Sequence, residues 1–155
     1  MKDITVIEAL DIDYLDVAQL VHELLLELEP TSTEAINAMN LDLVTKDLFE
    51  NAKIWAFIAQ YKGSAIAVIT LHECASIYAG GIFGEVSELY VKPNFRSSKI
   101  GELLLRSAMT KGIELGWKRL EVGSPPENES SRTINFYEKA GFKKTGVRLR
   151  RLLDA

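Results

Sequence analysis

The N-terminal part of the chain passes from a short apolar segment to helical spacing. Ile4 to Ala9 is predicted to form a first strand, and from Asp11 to Leu28 apolar residues return every three or four positions. One face of the predicted helix carries them: Ile12, Leu15, Ala18, Val21, Leu25 and Leu28. Asp11 or Asp13 can cap this helix at its start, and Pro30 ends it.

The middle of the chain changes from helical to strand periodicity. A second helical stretch covers about Ser32 to Asn51, with a break expected near Asn40. The apolar segments that follow are rich in aromatic and β-branched residues and predict three strands: Ile54–Tyr61, Ala65–Glu73 and Gly84–Val91. Lys62 and Gly63 predict a hairpin turn between the first two strands, and Pro93 ends the third.

The C-terminal part alternates helices with short strands. Helices are predicted over Lys99–Leu115 and Ser131–Ala140, and strands over Arg119–Gly123, Phe142–Thr145 and Val147–Leu152. The order β-α-α-β-β-β-α-β-α-β-β has hairpins in the middle and crossovers later. It predicts one α/β (α+β) domain over residues 1–155, with a mixed sheet and helices on both faces.

Composition narrows the class of protein. The 155 residues are 47% hydrophobic and 26% charged, as in an ordinary single globular domain. No apolar run approaches the roughly 20 residues that span a bilayer, and the N-terminus lacks a secretory pattern. Cys74 is the single cysteine, so the chain forms no internal disulfide. We therefore expect a cytoplasmic protein whose thiol is buried and inert rather than nucleophilic.

Charge is divided unevenly along the chain. The net charge of −4 argues against nucleic-acid binding. Residues 1–52 hold twelve acidic and two basic residues, whereas residues 53–155 hold ten acidic and sixteen basic residues. Either the acids simply occupy exposed helix faces, or the two halves of the chain face ligands of different charge.

The segment with the clearest chemical pattern joins the third long strand to the next helix. It runs Leu89-Tyr90-Val91-Lys92-Pro93-Asn94-Phe95-Arg96-Ser97-Ser98-Lys99-Ile100-Gly101. The first turn of a helix has unpaired N–H groups and a partial positive charge, so it attracts anions. Ser97 and Ser98 are small, Gly101 has no side chain to obstruct an anion, and Arg96 and Lys99 add charge. The segment predicts a diphosphate cradle, and the alternative is an ordinary helix capped by Ser97 or Ser98.

This segment resembles the signature of the GNAT superfamily of N-acetyltransferases. The signature is Arg or Gln, two residues, Gly, one residue, then Gly or Ala, after a strand ending in Val-x-Pro. Arg96 and Gly101 match its outer positions, whereas Lys99 departs from the inner glycine. Downstream, the segment 135–142 (NFYEKAGF) resembles the C-terminal element of the family, and Arg132 before it recurs in some branches.

The resemblance covers essentially the whole chain and implies a fold, a donor and a reaction. The fold is a single-domain, mostly antiparallel central sheet whose strands splay apart at the coenzyme site. The reaction moves an acetyl group from acetyl-CoA, without a metal, to a primary amine that attacks directly in a ternary complex. The implied coenzyme-binding residues are Leu89, Tyr90, Val91, Arg96, Ser97, Ser98, Lys99, Ile100 and Gly101.

The resemblance also indicates residues for the chemistry on the third long strand. The Leu89 N–H is the candidate oxyanion donor, and several family members place their general base four residues earlier, at Glu85. Strand alternation predicts that Glu85, Ser87, Leu89 and Val91 share one face. It predicts that Glu88, the rival candidate for general base, lies on the opposite face.

Tyr137 is the candidate general acid, because the family holds a tyrosine beside the coenzyme sulfur. The alternative is an aromatic core residue. His22 and His72 are distant in the sequence and are expected to lack clustered partners, so no metal site is predicted.

The acceptor is expected to be a small-molecule or peptide amine, with no role for nucleic acid or membrane. In the family the first helices roof the acceptor pocket, so their acids could attract a cationic amine: Glu23, Glu27, Glu29, Glu34 and Asp42. A homodimer is a further expectation, since many relatives dimerise. The alternative function is a non-catalytic acyl-CoA sensor or interaction module, which needs the phosphate-binding loop but neither Glu85 nor Tyr137.

Overall fold

In the computed structural model, which describes residues 3–124 and 131–153, the N-terminal part forms one strand and three helices. They are β1 (Ile4–Glu8), α1 (Tyr14–Leu28), α2 (Thr33–Ala38) and α3 (Leu41–Asn51). A 3-10 turn leads into α1, and the Asp13 carboxylate there accepts a hydrogen bond of 2.8 Å from the Leu10 N–H. The predicted break near Asn40 is confirmed, because this residue takes a left-handed φ of 52° between α2 and α3.

The following part of the described chain adds strands and helices close to the predicted bounds. They are β2 (Ile54–Tyr61), β3 (Ser64–Ser76), β4 (Gly81–Val91), α4 (Ile100–Glu114), β5 (Leu120–Val122) and α5 (Ser131–Lys139). Lys62 and Gly63 form the predicted turn, with left-handed φ values of 50° and 81°. β3 and β4 are longer than predicted because Ser76 pairs with Gly81 across their connection.

The five strands form one open sheet in the order β1-β2-β3-β4-β5. The first three pairings are antiparallel, and β4 pairs with β5 in parallel. A parallel pair needs a crossover connection, which contains α4. The predicted mixed, mostly antiparallel sheet is therefore confirmed.

Helices cover both faces of this sheet, as predicted. On the α1 face the buried residues are Val17, Leu20, Ala56, Ile58, Val68 and Tyr90. On the α4 face they include Ile69, Leu71, Val86, Leu104, Leu105 and Tyr137. Ile58 and Leu104 are fully buried, and each such side chain stabilises the fold by about 1.5–3 kcal/mol relative to exposure. Within the described ranges, no helix combines the length and apolarity that a bilayer crossing needs.

The two strands predicted at Phe142–Thr145 and Val147–Leu152 are wrong for this structure. The described chain beyond α5 makes no strand pairing, and the Val147 and Leu149 side chains are 90% and 91% exposed. The alternation of apolar and basic residues identified side chains that could share a face. A strand also needs a partner edge, which alternation cannot report.

Candidate active site

The strand β4 contains a β-bulge at Ser87. Glu88 pairs with Thr70 of β3, but the next pair joins Leu71 to Val86, so Ser87 has no partner in the register. An extra residue in one strand shifts the alternation of side chains beyond it by one position. Side chains on the two sides of the bulge therefore follow opposite parity.

The bulge brings the two candidate general bases to the same face. Glu88 lies opposite Thr70 and Glu85 lies opposite His72, and these two β3 residues are two positions apart. The Thr70 hydroxyl donates to the Glu88 carboxylate and accepts a hydrogen bond of 3.0 Å from the Glu88 N–H. The prediction that Glu85 and Glu88 face opposite sides is wrong, because sequence parity does not register a bulge.

The same bulge divides the four residues that were predicted to share a face. Leu89 and Val91 pack against the core of the α4 face, whereas Tyr90 packs into the α1 face. Glu85, on the other side of Ser87, lies on the α1 face. The Glu85 side chain thus lies on the opposite face of the strand from the side chain of Leu89, whose backbone N–H is the candidate oxyanion donor.

One edge of β4 is open beyond the bulge, which matches the predicted splay of the strands. β5 pairs with β4 over Gly84–Val86 only, and no other described strand follows on that side. The Lys92 N–H donates to the Ile66 carbonyl of β3 at 2.9 Å. Because successive N–H groups of a strand point to opposite edges, those of Leu89 and Val91 point to the open edge.

The loop after β4 presents its backbone at the start of α4. Ser97 and Lys99 both take left-handed φ values, of 64° and 63°. The first hydrogen bond of α4 runs from the Leu103 N–H to the Lys99 carbonyl, so the N–H groups before it are those of a helix N-terminus. The Ser98 hydroxyl donates to the backbone carbonyl three residues earlier, and no side chain caps α4. Lys99 therefore adopts the geometry that favours glycine at this motif position.

Arg96 is held beside this loop by two acceptors. Its Nε donates to the Val91 carbonyl at 2.8 Å, and its Nη2 contacts Glu27 of α1 at 2.7 Å. The hydrogen bond from Arg96 lowers the pKa of Glu27 and raises the pKa of Arg96 itself. Arg132 of α5 adds a second guanidinium, with its Nη2 3.2 Å from the Ser97 hydroxyl.

The acids of α1 face the basic loop. Besides the contact between Glu27 and Arg96, Lys92 Nζ lies 3.6 Å from a Glu23 carboxylate oxygen. Two of the five acids predicted to attract a cationic acceptor are thus paired with the loop. This contact between α1 and the segment after β4 accounts for two acids of the acidic half and two bases of the basic half.

The residues predicted to bind the coenzyme differ in what they expose to a ligand. The Ile100 side chain is 1% exposed and the Tyr90 side chain 6% exposed, so both belong to the core and can offer only their backbone to a ligand. At Gly101, a side chain would begin 3.4 Å from the Phe136 ring. This is an ordinary contact distance, so α4 and α5 leave room for a Cβ here, and the role of Gly101 in clearing space for an anion stays a prediction.

Tyr137 lies in the core of the α4 face. Its ring makes edge-to-face contacts with Phe136 and Phe142, at centroid distances of 5.1 and 5.3 Å. Burial raises the pKa of Tyr137 to about 12, so the phenol stays protonated at neutral pH.

Glu85 is surrounded by polar groups on the α1 face. Its Oε1 contacts the Arg148 guanidinium, and its Oε2 lies 3.8 Å from His72 Nε2. The other ring nitrogen of His72 is 2.6 Å from the Ser87 hydroxyl. The ligand atoms of His72, Cys74 and Glu85 lie within 4.8 Å of one another. The expectation that His72 lacks clustered partners is therefore wrong.

Cys74 is partly exposed rather than buried as predicted, and its pKa is raised by burial and then by the Glu85 charge; its inertness stays a prediction. The sequence favoured a structural role for His72 over one in lining the acceptor pocket, and it did not point to Arg148. The signal for the first was the polar alternation Thr70, His72, Cys74, which directly follows an apolar run. Arg148 had no such signal, because its contact with Glu85 spans 63 positions of the chain.

His22, the other histidine of the chain, lies away from this cluster. His22 Nε2 is 2.7 Å from Asn37 Oδ1, and both residues line a cavity of about 390 Å³ between α1, α2 and α3. This cavity includes neither Glu85 nor Leu89. The candidate site is thus defined by the open edge of β4 and its polar neighbours.

One known protein family matches most of this chain, including the strand β4 and the helix α4 described above. The model of the acetyltransferase (GNAT) family matches residues 18–142. The aminoalkylphosphonate N-acetyltransferase of Salmonella typhimurium is 27% identical over 96 residues, which are 62% of this chain and 61% of that protein. The alignment thus spans less than two thirds of that relative.

Solved structures share the fold along almost the whole chain. A possible acetyltransferase from Clostridium difficile 630 has a TM-score of 0.79 at 17% identity, covering 98% of each chain. An aminoglycoside acetyltransferase from an uncultured soil metagenomic sample has a TM-score of 0.81 at 15% identity, covering 97% of this chain and 99% of that one. At these identities the likeness establishes the fold.

Proposed function

Because the chain belongs to the acetyltransferase (GNAT) family, as its two motifs predicted, we propose that it moves an acetyl group from acetyl-CoA to a primary amine. The amine attacks the thioester directly in a ternary complex. The observation that carries this proposal is the open edge of β4. There the Leu89 and Val91 N–H groups face away from β3, beside a loop built like an anion site.

The coenzyme diphosphate would bind at the start of α4. Main-chain N–H groups of the first turn provide uncharged donors, and Lys99 and Arg96 add positive charge. Arg132, beside Ser97, brings a further cation from α5. Because Arg96 is already paired with Glu27, the diphosphate shares or replaces that pairing.

The thioester would lie along the open edge, with its carbonyl oxygen at the Leu89 N–H. A donor of this kind stabilises the developing negative charge by about 3 kcal/mol. The Val91 carbonyl accepts from Arg96, which leaves the Val91 N–H for the pantetheine arm. This edge also joins the two faces of the sheet, so an amine can approach from the α1 face while the sulfur lies toward the α4 face.

Glu85 is the proposed general base. It accepts a proton from the amine as nitrogen bonds to the thioester carbon, and it later releases that proton to solvent. Glu88 is the alternative on the same face, but its carboxylate is held by the Thr70 hydroxyl. Arg148, whose side chain is 66% exposed, can leave Glu85 more readily than buried Thr70 can leave Glu88.

Tyr137 would act on the leaving sulfur as a hydrogen-bond donor. A thiol has a pKa near 8.5, so full proton transfer from a phenol with a pKa of about 12 is uphill by about 5 kcal/mol. A hydrogen bond to the developing thiolate avoids that cost and contributes about 1.5–3 kcal/mol. The carbon–sulfur bond breaks, the amide forms, and solvent supplies the proton that completes free coenzyme A.

The acceptor class is proposed from the charges around the site. Glu85 and Glu88 favour an amine with positive charge, whereas Arg148 beside them would accept an anionic group. The relatives include an aminoalkylphosphonate N-acetyltransferase, whose named substrate carries an anionic phosphonate, and an aminoglycoside acetyltransferase, whose named substrate carries cationic amines. We favour the cationic class, and a clear preference for acidic amines would contradict this.

Thiol release from acetyl-CoA with a panel of amines tests the enzyme proposal. Binding of coenzyme A without release against any amine would instead favour the acyl-CoA sensor. Glu85→Gln should lower turnover about 10²–10⁴-fold, and the matched Glu88→Gln should change it less than about threefold. The reverse order would assign the base to Glu88. Tyr137→Phe should lower turnover about 10–100-fold and leave coenzyme affinity nearly unchanged.

A further inference from the structure

Three side chains of different chemistry meet on the α1 face, next to the bulge. His72 and Cys74 are two positions apart on β3, and Glu85 lies opposite His72 on β4. Their ligand atoms, an imidazole nitrogen, a sulfur and a carboxylate oxygen, lie within 4.8 Å of one another. The His72 and Glu85 side chains are 36% and 15% exposed, so solvent ions can reach them.

The spacing fits a single small cation. Two ligands of one tetrahedral Zn²⁺, each about 2.0–2.3 Å from the ion, are about 3.3–3.7 Å apart. His72 Nε2 and Glu85 Oε2 are already 3.8 Å apart, which is too long for a hydrogen bond. Small rotations of the three side chains would close the remaining distance without moving either strand.

The neighbouring contacts support the ligand geometry. His72 uses Nδ1 to contact the Ser87 hydroxyl at 2.6 Å, which directs Nε2 toward Glu85. Ligating histidines are commonly oriented in this way through their second ring nitrogen. Glu85 contacts Arg148 through Oε1, so Oε2 is the oxygen that faces His72. The bulge residue thus orients one ligand, and the C-terminal segment orients another.

The ligand set selects the type of ion. Mg²⁺ and Ca²⁺ prefer oxygen ligands, whereas nitrogen and sulfur favour Zn²⁺ and its neighbours in the first transition row. Three protein ligands are fewer than the four of a closed structural zinc site. The fourth position would be taken by water or by a ligand from outside the cluster.

We propose that His72, Cys74 and Glu85 bind one Zn²⁺ and that this ion inhibits acetyl transfer. Binding replaces the proton of the Cys74 thiol, which is released to solvent, and forms a zinc–thiolate bond. It also occupies the carboxylate of Glu85, so that group can no longer accept a proton from the amine. The inhibition rests on the proposed function, in which Glu85 is the base, but the metal binding does not.

Titration of the metal-free protein with Co²⁺ tests the binding. Cys74 is the single cysteine, so any thiolate-to-cobalt absorption band reports this site alone. We expect one ion per chain, displacement by Zn²⁺, and at least tenfold weaker binding in Cys74→Ser and His72→Gln. His22→Gln is the matched control and should bind as the wild type does. A wild type without a thiolate band at millimolar Co²⁺ would overturn the site.

Inhibition is measured by thiol release at increasing Zn²⁺. Cys74→Ser should retain the basal rate and require at least tenfold more Zn²⁺ for half inhibition than the wild type. Circular dichroism and coenzyme titration verify that this variant is folded. Equal inhibition of both proteins would refute the regulatory part, even if Co²⁺ binds. If the protein shows no turnover with any amine, the Co²⁺ titration still decides whether the metal site exists.

Discussion

Replacing Gly84 with alanine should destabilise the protein by forcing Trp117 out of its position. A Cβ built at Gly84 would lie 2.0 Å from Cζ3 and 2.1 Å from Cε3 of the Trp117 ring. Carbon atoms in contact are about 3.5–4.0 Å apart, so the ring must retreat by about 1.5–2 Å. It cannot do so freely, because its Nε1 donates to Glu73 at 2.9 Å and its edge meets Trp55 at a centroid distance of 5.5 Å.

The expected cost follows from these contacts. Overpacking in a core costs about 1–3 kcal/mol, and loss of the indole hydrogen bond adds about 1 kcal/mol. The alanine recovers about 0.4–1 kcal/mol by restricting the unfolded chain, so the net loss is about 1–3.5 kcal/mol. For a chain of 155 residues, this lowers the melting temperature by about 3–11 °C.

Urea denaturation and calorimetry measure the effect, with Gly101→Ala as the matched control. A Cβ at Gly101 meets the Phe136 ring at an ordinary 3.4 Å, so that variant should stay within about 1 kcal/mol of the wild type. Trp117→Leu should cost at least about 1 kcal/mol less in the Gly84→Ala background than alone. A Gly84→Ala protein within about 0.5 kcal/mol of wild type would refute the reasoning.

Three further predictions concern the loop and the buried phenol. Lys99→Gly and Lys62→Gly should each stabilise the protein by about 0.5–1 kcal/mol in urea denaturation, because both lysines have a left-handed φ. Lys62 is the control for binding: only Lys99→Gly should weaken coenzyme A binding, by about two- to fivefold in calorimetric titration. A wild-type affinity in Lys99→Gly would show that its charge does not reach the diphosphate. Glu27→Gln should tighten coenzyme A binding about two- to fivefold at low salt and less at high salt, because it removes the acid paired with Arg96. Weaker binding in this variant would instead mean that Glu27 positions the Arg96 guanidinium. Because the folded-state pKa of Tyr137 is raised to about 12 from an ordinary value near 10, stability is complete below pH 10 and falls as pH rises toward 12. Urea midpoints at pH 8 and 11 should therefore differ less in Tyr137→Phe than in the wild type, and equal differences would contradict a buried phenol.

Sequence patterns predicted the elements whose signals are local. The bounds of β2 were predicted correctly because an apolar run ends at a two-residue turn, Lys62-Gly63. Asn40 marked a real break, since asparagine tolerates the left-handed conformation found there. The loop before α4 was recognised as a candidate phosphate site because a proline, two serines and two basic residues lie within seven positions, 93–99.

What could not be predicted depends on contacts between distant segments. The bulge at Ser87 arises from the register of β3 against β4, which neither strand encodes alone. Glu85 and Glu88 were therefore assigned to opposite faces. The pairing of Glu27 with Arg96 joins residues 69 positions apart, so the acidic helix was interpreted without its basic partner.

The unpaired residue in β4 makes this one position tolerant of deletion. Loss of Ser87 alone would place Val86 directly before Glu88, so that the pairs Leu71–Val86 and Thr70–Glu88 become neighbours in a regular ladder. Val86, which is 3% exposed, would keep its apolar neighbours, and Glu85 would stay opposite His72. A missing codon at this position should thus yield a soluble, folded chain in which His72 has lost its contact with the Ser87 hydroxyl.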